Sequence, residues 1–390
     1  MTDTPENTPT PNTGEPNVDT SALDLAAIRL EARKQEDSRN REEAQKKNTP
    51  GAGAVVVGVD GSEQSLEALA WAAAEGGRRD LPVEAVMSYT IPTFVATAMD
   101  AGYSALDDET LRSGAETVLR EALADLDRRR RENPEMPFAP ADRVRAYVET
   151  GDAAGTLLEY SQHAEMVVMG ARGRGGFFGR ILGSVASAVP PHAHCATVVV
   201  PKGSLARKEA SDTVVVGVDG STAARLAMLD AAQEAVARGC ELKVVWALPP
   251  LSGTQMWAAS AMDQQSVVRE MNTQLSAAAD WLRHHFDGLL VSTAVVEGVP
   301  AQVLIEESKR ARLLITGTRG RGGFAGMLLG STSQSVLNHA KCPVLVVPAR
   351  KDERIENRGE FGPMPQEEAE GERSSRAFAG GCVASEAAVL

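Results

Sequence analysis

The chain has 390 residues, long enough for two domains of ordinary size, and its 43% hydrophobic content can supply real cores. Aromatics make up only 4%, and Ala, Val and Gly dominate, which suits a Val-rich parallel sheet covered by small-residue helices. A formal net charge of -13 argues against a sequence-independent grip on nucleic acid. No apolar run approaches the ~20 residues needed to span a bilayer. The polar, acidic N-terminal stretch does not read as a signal peptide, so no membrane partner is expected and the expected compartment is the cytoplasm. Cys195, Cys240, Cys342 and Cys382 are too widely spaced for a disulfide framework or a zinc cluster.

Residues 1–50 are rich in Thr, Pro, Asn, Glu and Lys and cannot bury enough apolar surface to offset their ordering entropy, so a disordered extension is expected. Within it, Leu23, Ala27 and Leu30 recur at helical spacing ahead of the charged run Glu31 to Lys47. That pattern reads as a solvated tail with transient helix, or as a docking helix for a protein partner of unknown identity. Order begins at Ala54. The run Val55-Val-Val-Gly-Val-Asp-Gly-Ser62 reads as a buried strand ending in a turn, and the same eight letters return at Val214 to Ser221. Asp219 follows Asp60 by 159 residues, and two later landmarks, a glycine motif and His192-Ala-His-Cys195 against His339-Ala-Lys-Cys342, repeat at an offset of 147.

The first copy reads as alternating elements. Strand 54–60 leads to a helix from Glu63 to Arg79 with Ser62 as N-cap. Strand 82–89, a loop with Pro92 and Gly102, and a long helix near 107–131 stopped by Asn133-Pro134 come next. Strand 142–149, helix 153–163, strand 165–169, a glycine loop, a helix from Ser184 and strand 196–200 complete the copy. The second copy repeats the series as strand 213–219, helix 222–238, strand 241–247, helix 258–286, strand 289–297, helix 300–310, strand 312–316, a glycine loop, helix 331–340 and strand 343–347. This alternation predicts two open five-stranded parallel α/β sheets in tandem, Rossmann-like, with helices on both faces. The domains are expected at 53–202 and 212–349, with a short linker between them and a disordered tail at 350–390. One local departure is Pro190-Pro191. Proline within a helix removes a hydrogen bond and clashes, at about 3 kcal/mol, so this helix is expected to end early or kink.

The two glycine loops carry the chemistry. Gly170-Ala-Arg-Gly173 is followed by Gly183-Ser184, and Gly317-Thr-Arg-Gly320 by Gly330-Ser331, with nine residues between the second glycine and the last one in both copies. Each loop follows an apolar strand and precedes a helix. Glycines permit φ > 0 and close backbone approach, and the free N–H groups and dipole of the helix start favour an anion. Arg172, Arg174, Arg319 and Arg321 add positive charge. The reading is a phosphate cradle built twice; the plainer alternative is a glycine-rich turn between strand and helix.

Val-Asp-Gly-Ser at a first strand, with Gly-x2-Gly-x9-Gly-Ser after the fourth, resembles the ATP-binding branch of the universal stress proteins. The resemblance covers about residues 53–202 and 212–349. It implies sheet order 3-2-1-4-5, which makes strands one and four neighbours where the winding reverses, the place where open α/β sheets bind ligands. It also implies ATP as ligand, with Mg2+ an open addition, and a role in regulating stress responses through nucleotide-dependent conformation or interactions. By resemblance, Asp60 and Asp219 contact the adenosine, and the backbones near Val59 and Ser88, and near Val218 and Ala247, line the adenine. Gly170, Gly173, Gly183, Ser184 and Val185 then hold ribose and phosphates in the first copy. Gly317, Gly320, Gly330, Ser331 and Thr332 do so in the second. The alternative for each Asp is a turn residue that bonds its own backbone. The family often pairs its last strands, which in this chain implies an intramolecular pseudo-dimer through Val198–Val200 and Val344–Val347, with a homodimer of whole chains left open.

Other residues invite weaker readings. His192, His194 and Cys195 lack a fourth ligand and read as helix-end and packing residues, and no metal site is expected. His284-His285 reads as a helix surface, Trp71 and Trp246 as packing. Cys382 stands at the wrong end of the chain for a lipid-attachment box. No Gly-x4-Gly-Lys-Ser/Thr loop and no nucleophile-base set occurs, so no catalytic residues are assigned and a binding protein is favoured over an enzyme. The rivals are a slow ATPase or nucleotidyl-transfer enzyme on the same fold, and a scaffold with vestigial crevices. The loops at 90–106 and 249–257 are the candidate moving parts.

Overall fold

The computed structural model describes residues 49–91, 108–174, 182–206, 212–250, 264–320 and 328–350. All of the expected tails but residues 49–50 and 350, most of both candidate moving loops, Arg321 and Cys382 lie outside these residues. The first half runs β1 (Val55–Gly58), α1 (Glu63–Arg79), β2 (Val83–Tyr89), α2 (Asp108–Glu132), β3 (Val144–Thr150), α3 (Ala153–Tyr160), β4 (Met166–Gly170), α4 (Ser184–His192) and β5 (Ala196–Val200). The second runs β6 (Thr213–Val218), α5 (Thr222–Arg238), β7 (Glu241–Leu248), α6 (Gln264–His285), β8 (Val291–Glu297), α7 (Pro300–Glu307), β9 (Leu313–Gly317), α8 (Ser331–His339) and β10 (Val344–Val347).

Local chemistry sets these boundaries. Val55, Val56 and Val57 are fully buried, as befits a central parallel strand covered on both faces. Their side chains alternate: Val55 and Val57 join the apolar layer under α1 and α2, while Val56 joins the layer under α3 and α4. Helix α1 starts where the Ser62 hydroxyl accepts from the Ser65 N–H, and it stops at Asp80, a left-handed residue whose N–H reaches the Gly76 carbonyl. Helix α5 starts on Ser221 in the same manner and ends on Gly239 at φ 61°.

Each half has the order 3-2-1-4-5, but the expectation of two separate sheets needs correction. The strands form one ten-stranded sheet, β3-β2-β1-β4-β5-β10-β9-β6-β7-β8. The halves join where β5 and β10 run antiparallel, with Val199 opposite Val344, Val198 opposite Leu345 and Thr197 opposite Val346. The physical reason is main-chain satisfaction. Each last strand would otherwise present an open edge of hydrogen-bonding groups, and each edge fills the other's. The internal pairing implied by the resemblance uses these strands.

Of the two outcomes expected at Pro190-Pro191, the early end does not occur. Helix α4 covers Pro190 and Pro191 and spans nine residues, as does α8. It does not stop early, because the prolines fall in its last turn and their neighbours hold that turn. The Ala193 N–H donates to the Val189 carbonyl at 2.9 Å, the His192 ring bonds the Ala188 carbonyl at 2.8 Å, and Val189 is buried.

Above the β5–β10 join, α1 and α5 meet through a reciprocal ion lattice. Glu75 is fully buried and accepts from Arg78 at 2.8 Å, Arg79 at 2.6 Å and Arg238 at 2.6 Å. Glu234, also buried, pairs with Arg79 and Arg238. Glu234 and Arg238 stand 159 residues after Glu75 and Arg79, so each half repeats the other's contribution. The match fails at two positions: Arg78 has Ala237 as its equivalent, and Arg238 lies over the Trp71 ring at 5.7 Å, whereas the residue equivalent to Trp71 is Asp230, which pairs with Arg350 at 3.0 Å.

Burial pushes the Glu75 carboxyl up, but the guanidinium groups of Arg238, Arg78 and Arg79 outweigh burial and hold it below the ordinary value of 4.5. Glu75→Gln is expected to lower the unfolding free energy by roughly 3 kcal/mol, read by urea denaturation, because it strands buried guanidinium groups. A carboxyl with a depressed folded pKa contributes stability that is complete above 4.5 and is lost as pH falls through the folded value. The unmodified chain should therefore lose stability more steeply than Glu75→Gln as the buffer is acidified below 4.5.

Candidate functional site

Strands β1 and β4 are neighbours, with Val55 opposite Met166, yet α1 packs on one face of the sheet and α4 on the other. A crevice must open between their strand tips, and the same holds for β6 and β9. The first crevice is a cavity of about 540 Å³ and the second one of about 600 Å³.

All nine residues expected in the first copy line the first cavity: Val59, Asp60, Ser88, Gly170, Arg172, Gly173, Gly183, Ser184 and Val185. The nine expected in the second copy line the second cavity: Val218, Asp219, Ala247, Gly317, Arg319, Gly320, Gly330, Ser331 and Thr332. Arg174 also lines the first cavity. Trp246 packs against the core, as expected, and also lines the second cavity.

Asp60 serves two purposes at once. Its Oδ1 accepts the Ser62 N–H at 2.9 Å, the turn bond that the plainer reading expects, and its Oδ2 accepts the Arg174 N–H at 2.9 Å, tying the tip of β1 to the glycine loop. Burial pushes the Asp60 carboxyl up, but hydrogen bonds from Ser62, Arg174 and Ser65 outweigh it and hold it below the ordinary aspartate value. Asp219 Oδ1 takes the Ser221 N–H at 3.0 Å in the same way. These carboxylates explain two of the glycines: a Cβ on Gly173 would collide with Asp60 Oδ2, and one on Gly320 with Asp219 Oδ2. Gly170 and Gly317 are needed for a different reason, since a Cβ there would press on Gln64 at 2.9 Å and on Ala223 at 3.1 Å, in the first turns of α1 and α5.

Each glycine loop closes on itself. The Gly183 N–H donates to the Ala171 carbonyl at 2.8 Å, and the Gly330 N–H to the Thr318 carbonyl at 2.7 Å. Helices α4 and α8 then begin on glycines that have no side chain to cap them, in contrast to Ser62, Asp152 and Ser221 at the starts of α1, α3 and α5. Their first residues line the cavities, so the positive ends of two helix dipoles face them. A further bond between the halves reaches the first loop: the Leu182 N–H, at its exit, donates to Asn338 Oδ1 of α8 at 3.2 Å.

The sequence reading missed the apolar walls. Leu157 of α3 and Leu304 of α7 line the two cavities, together with Val86 and Val245. The signal lay in Gly58 and Gly217, where a Cβ would meet Leu157 at 2.9 Å and Leu304 at 2.6 Å, so the strand tips are kept bare to seat these leucines. His192, His194 and Cys195 do not converge on either cavity, and burial pushes the Cys195 thiol up to about 12. No group of three or more His, Cys, Asp or Glu arranged to hold a metal occurs among the described residues. No helix among them is long and apolar enough to cross a membrane.

Gly173→Ala should cost about 1–3 kcal/mol of stability through the collision with Asp60, and the cost should shrink in an Asp60→Ala background. A double-mutant cycle by thermal or urea denaturation checks this.

The family model described as the Universal stress protein family matches residues 51–201 and again residues 211–348. Universal stress protein Rv2005c of Mycobacterium tuberculosis (strain ATCC 25618 / H37Rv) is 33% identical over 296 residues, covering 75% of this chain and 96% of the relative. A universal stress protein of Mycolicibacterium smegmatis (strain ATCC 700084 / mc(2)155) is 31% identical over 309 residues, covering 76% and 97%. The crystal structure of a universal stress protein from Archaeoglobus fulgidus DSM 4304 shares the fold, with a TM-score of 0.52 at 21% identity over 78% of this chain and 99% of that one. The chain belongs to the universal stress protein family, as a tandem member with one family domain in each half.

Proposed function

We propose that the protein binds one adenine nucleotide, ATP in the first instance, in each cavity, and that loading regulates its conformation or its contacts with a protein partner in a stress response. The observation that carries this reading is the repeated convergence of an uncapped helix start, a glycine loop and a tip aspartate around one cavity. Uncapped N–H groups and a helix dipole suit phosphate oxygens. Val86 and Leu157, or Val245 and Leu304, offer an apolar wall to a base, and volumes near 540 and 600 Å³ lie within the usual range for small-molecule sites. Any Mg2+ would arrive with the phosphates, for which Ser184 and Ser331 supply nearby hydroxyls.

The reading is of a binder rather than a catalyst. Asp60 is the only carboxylate lining the first cavity among the described residues, and it is engaged by the Ser62 and Arg174 N–H groups. A carboxyl held below its ordinary value is a weak general base. Regulation requires only that the nucleotide bind one conformation better than another.

Calorimetric titration of ATP into the desalted full-length chain should give two sites per chain, and Asp60→Ala and Asp219→Ala should each remove or weaken one of them. Phosphate release measured in parallel should stay at background. Turnover abolished by the double substitution would convert the reading into a slow ATPase, and the absence of binding with ATP, AMP and cyclic AMP would leave a scaffold.

A further inference from the structure

The two cavities are built on one plan but differ at both ends. At the helix end, the second residue of α4 is Val185 and that of α8 is Thr332, and each lines its cavity. At the strand end the polarity is reversed: Ser88 lines the first cavity, and Ala247, 159 residues later, lines the second. A hydroxyl and a methyl group have therefore changed places between the two ends.

Behind the second loop lies a further difference. Ser333, in the first turn of α8, donates to the Gly317 carbonyl at 2.7 Å, with Thr316 Oγ1 3.3 Å from its hydroxyl. Both residues are buried. These bonds fasten the start of the glycine loop to the helix that follows it. The first half has Met169 and Ala186 at the equivalent positions, which offer only van der Waals contact.

We infer that the cavities divide the work of recognition: the second discriminates by phosphate, through Thr332 on a pinned loop, and the first by the base and sugar, through Ser88. This rests on the nucleotide reading above. A hydroxyl that donates to a phosphate oxygen makes a charge-assisted bond at an already positive helix start, whereas a valine side chain there adds nothing for an anion beyond the backbone N–H. A hydroxyl at the strand end instead meets the uncharged part of the ligand, where its bond is the same whatever the number of phosphates. The second cavity thus has the larger ratio of ATP affinity to adenosine affinity.

The test is calorimetry with ATP and with adenosine on the full-length chain. Asp219→Ala isolates the first cavity and Asp60→Ala the second. Thr332→Val, which keeps the side-chain shape, should weaken ATP at the second cavity by roughly tenfold and leave adenosine unchanged. Val185→Thr should raise ATP affinity at the first cavity without changing adenosine. Ser88→Ala should weaken both ligands there by the same factor. Two ATP sites with equal ATP-to-adenosine ratios, or a Thr332→Val chain that binds ATP unchanged, would overturn this inference and leave the nucleotide reading intact. An unmodified chain that binds neither ligand would overturn both.

Discussion

The pairing of β5 with β10 is the interaction on which the rest of the architecture depends. An open parallel sheet has two raw edges, and a tandem chain of two such sheets would have four. Joining the last strands antiparallel removes two of them and makes a single ten-stranded sheet. The antiparallel sense also relates the halves by an approximate two-fold axis. That axis brings Glu75 to Arg238 and Glu234 to Arg79, so a four-residue lattice closes from only two kinds of position. Self-complementarity of this sort is the mark of a symmetric dimer interface, realised here within one chain.

The same repetition places two similar cavities at the winding reversals. In each, three unrelated needs converge on glycine: a strand tip bare enough to seat a leucine, a loop that passes a carboxylate, and a helix start with no cap. None of these demands a ligand by itself. Together they leave a concave surface with an apolar wall and a positive rim, which is why the cavity rather than any one residue carries the functional reading.

Much of this was legible in the letters. The valine runs marked central strands because strands covered on both faces read as continuous apolar runs, and the Ser62 cap marked the start of α1. The spacing of the glycine motifs located both cavities, since backbone geometry at a strand–loop–helix junction depends on a few glycines at fixed offsets. Three features were not legible from local pattern. Whether the last strands would pair with each other is a question of edge satisfaction that no local pattern encodes. The effect of Pro190-Pro191 depends on tertiary contacts, because Val189 is buried and the Ala193 N–H still reaches its carbonyl. Leu157 and Leu304 escaped notice because helical periodicity marks a buried face without saying which residue on it borders a cavity.

The bond from the Leu182 N–H to Asn338 breaks the two-fold axis in a way that gives the chain a direction. The Asn338 amide nitrogen is held by the Gln334 carbonyl at 2.7 Å, which leaves its oxygen to receive the first glycine loop. The return bond cannot form, because the position 147 residues before Asn338 is Pro191, whose ring has no amide to offer the Leu329 N–H. Two first halves placed together would present proline to both loops, and two second halves would present asparagine to both. The tandem chain is therefore more than a dimer with a linker. Its halves have become a donor and a recipient of support, and their roles are not interchangeable.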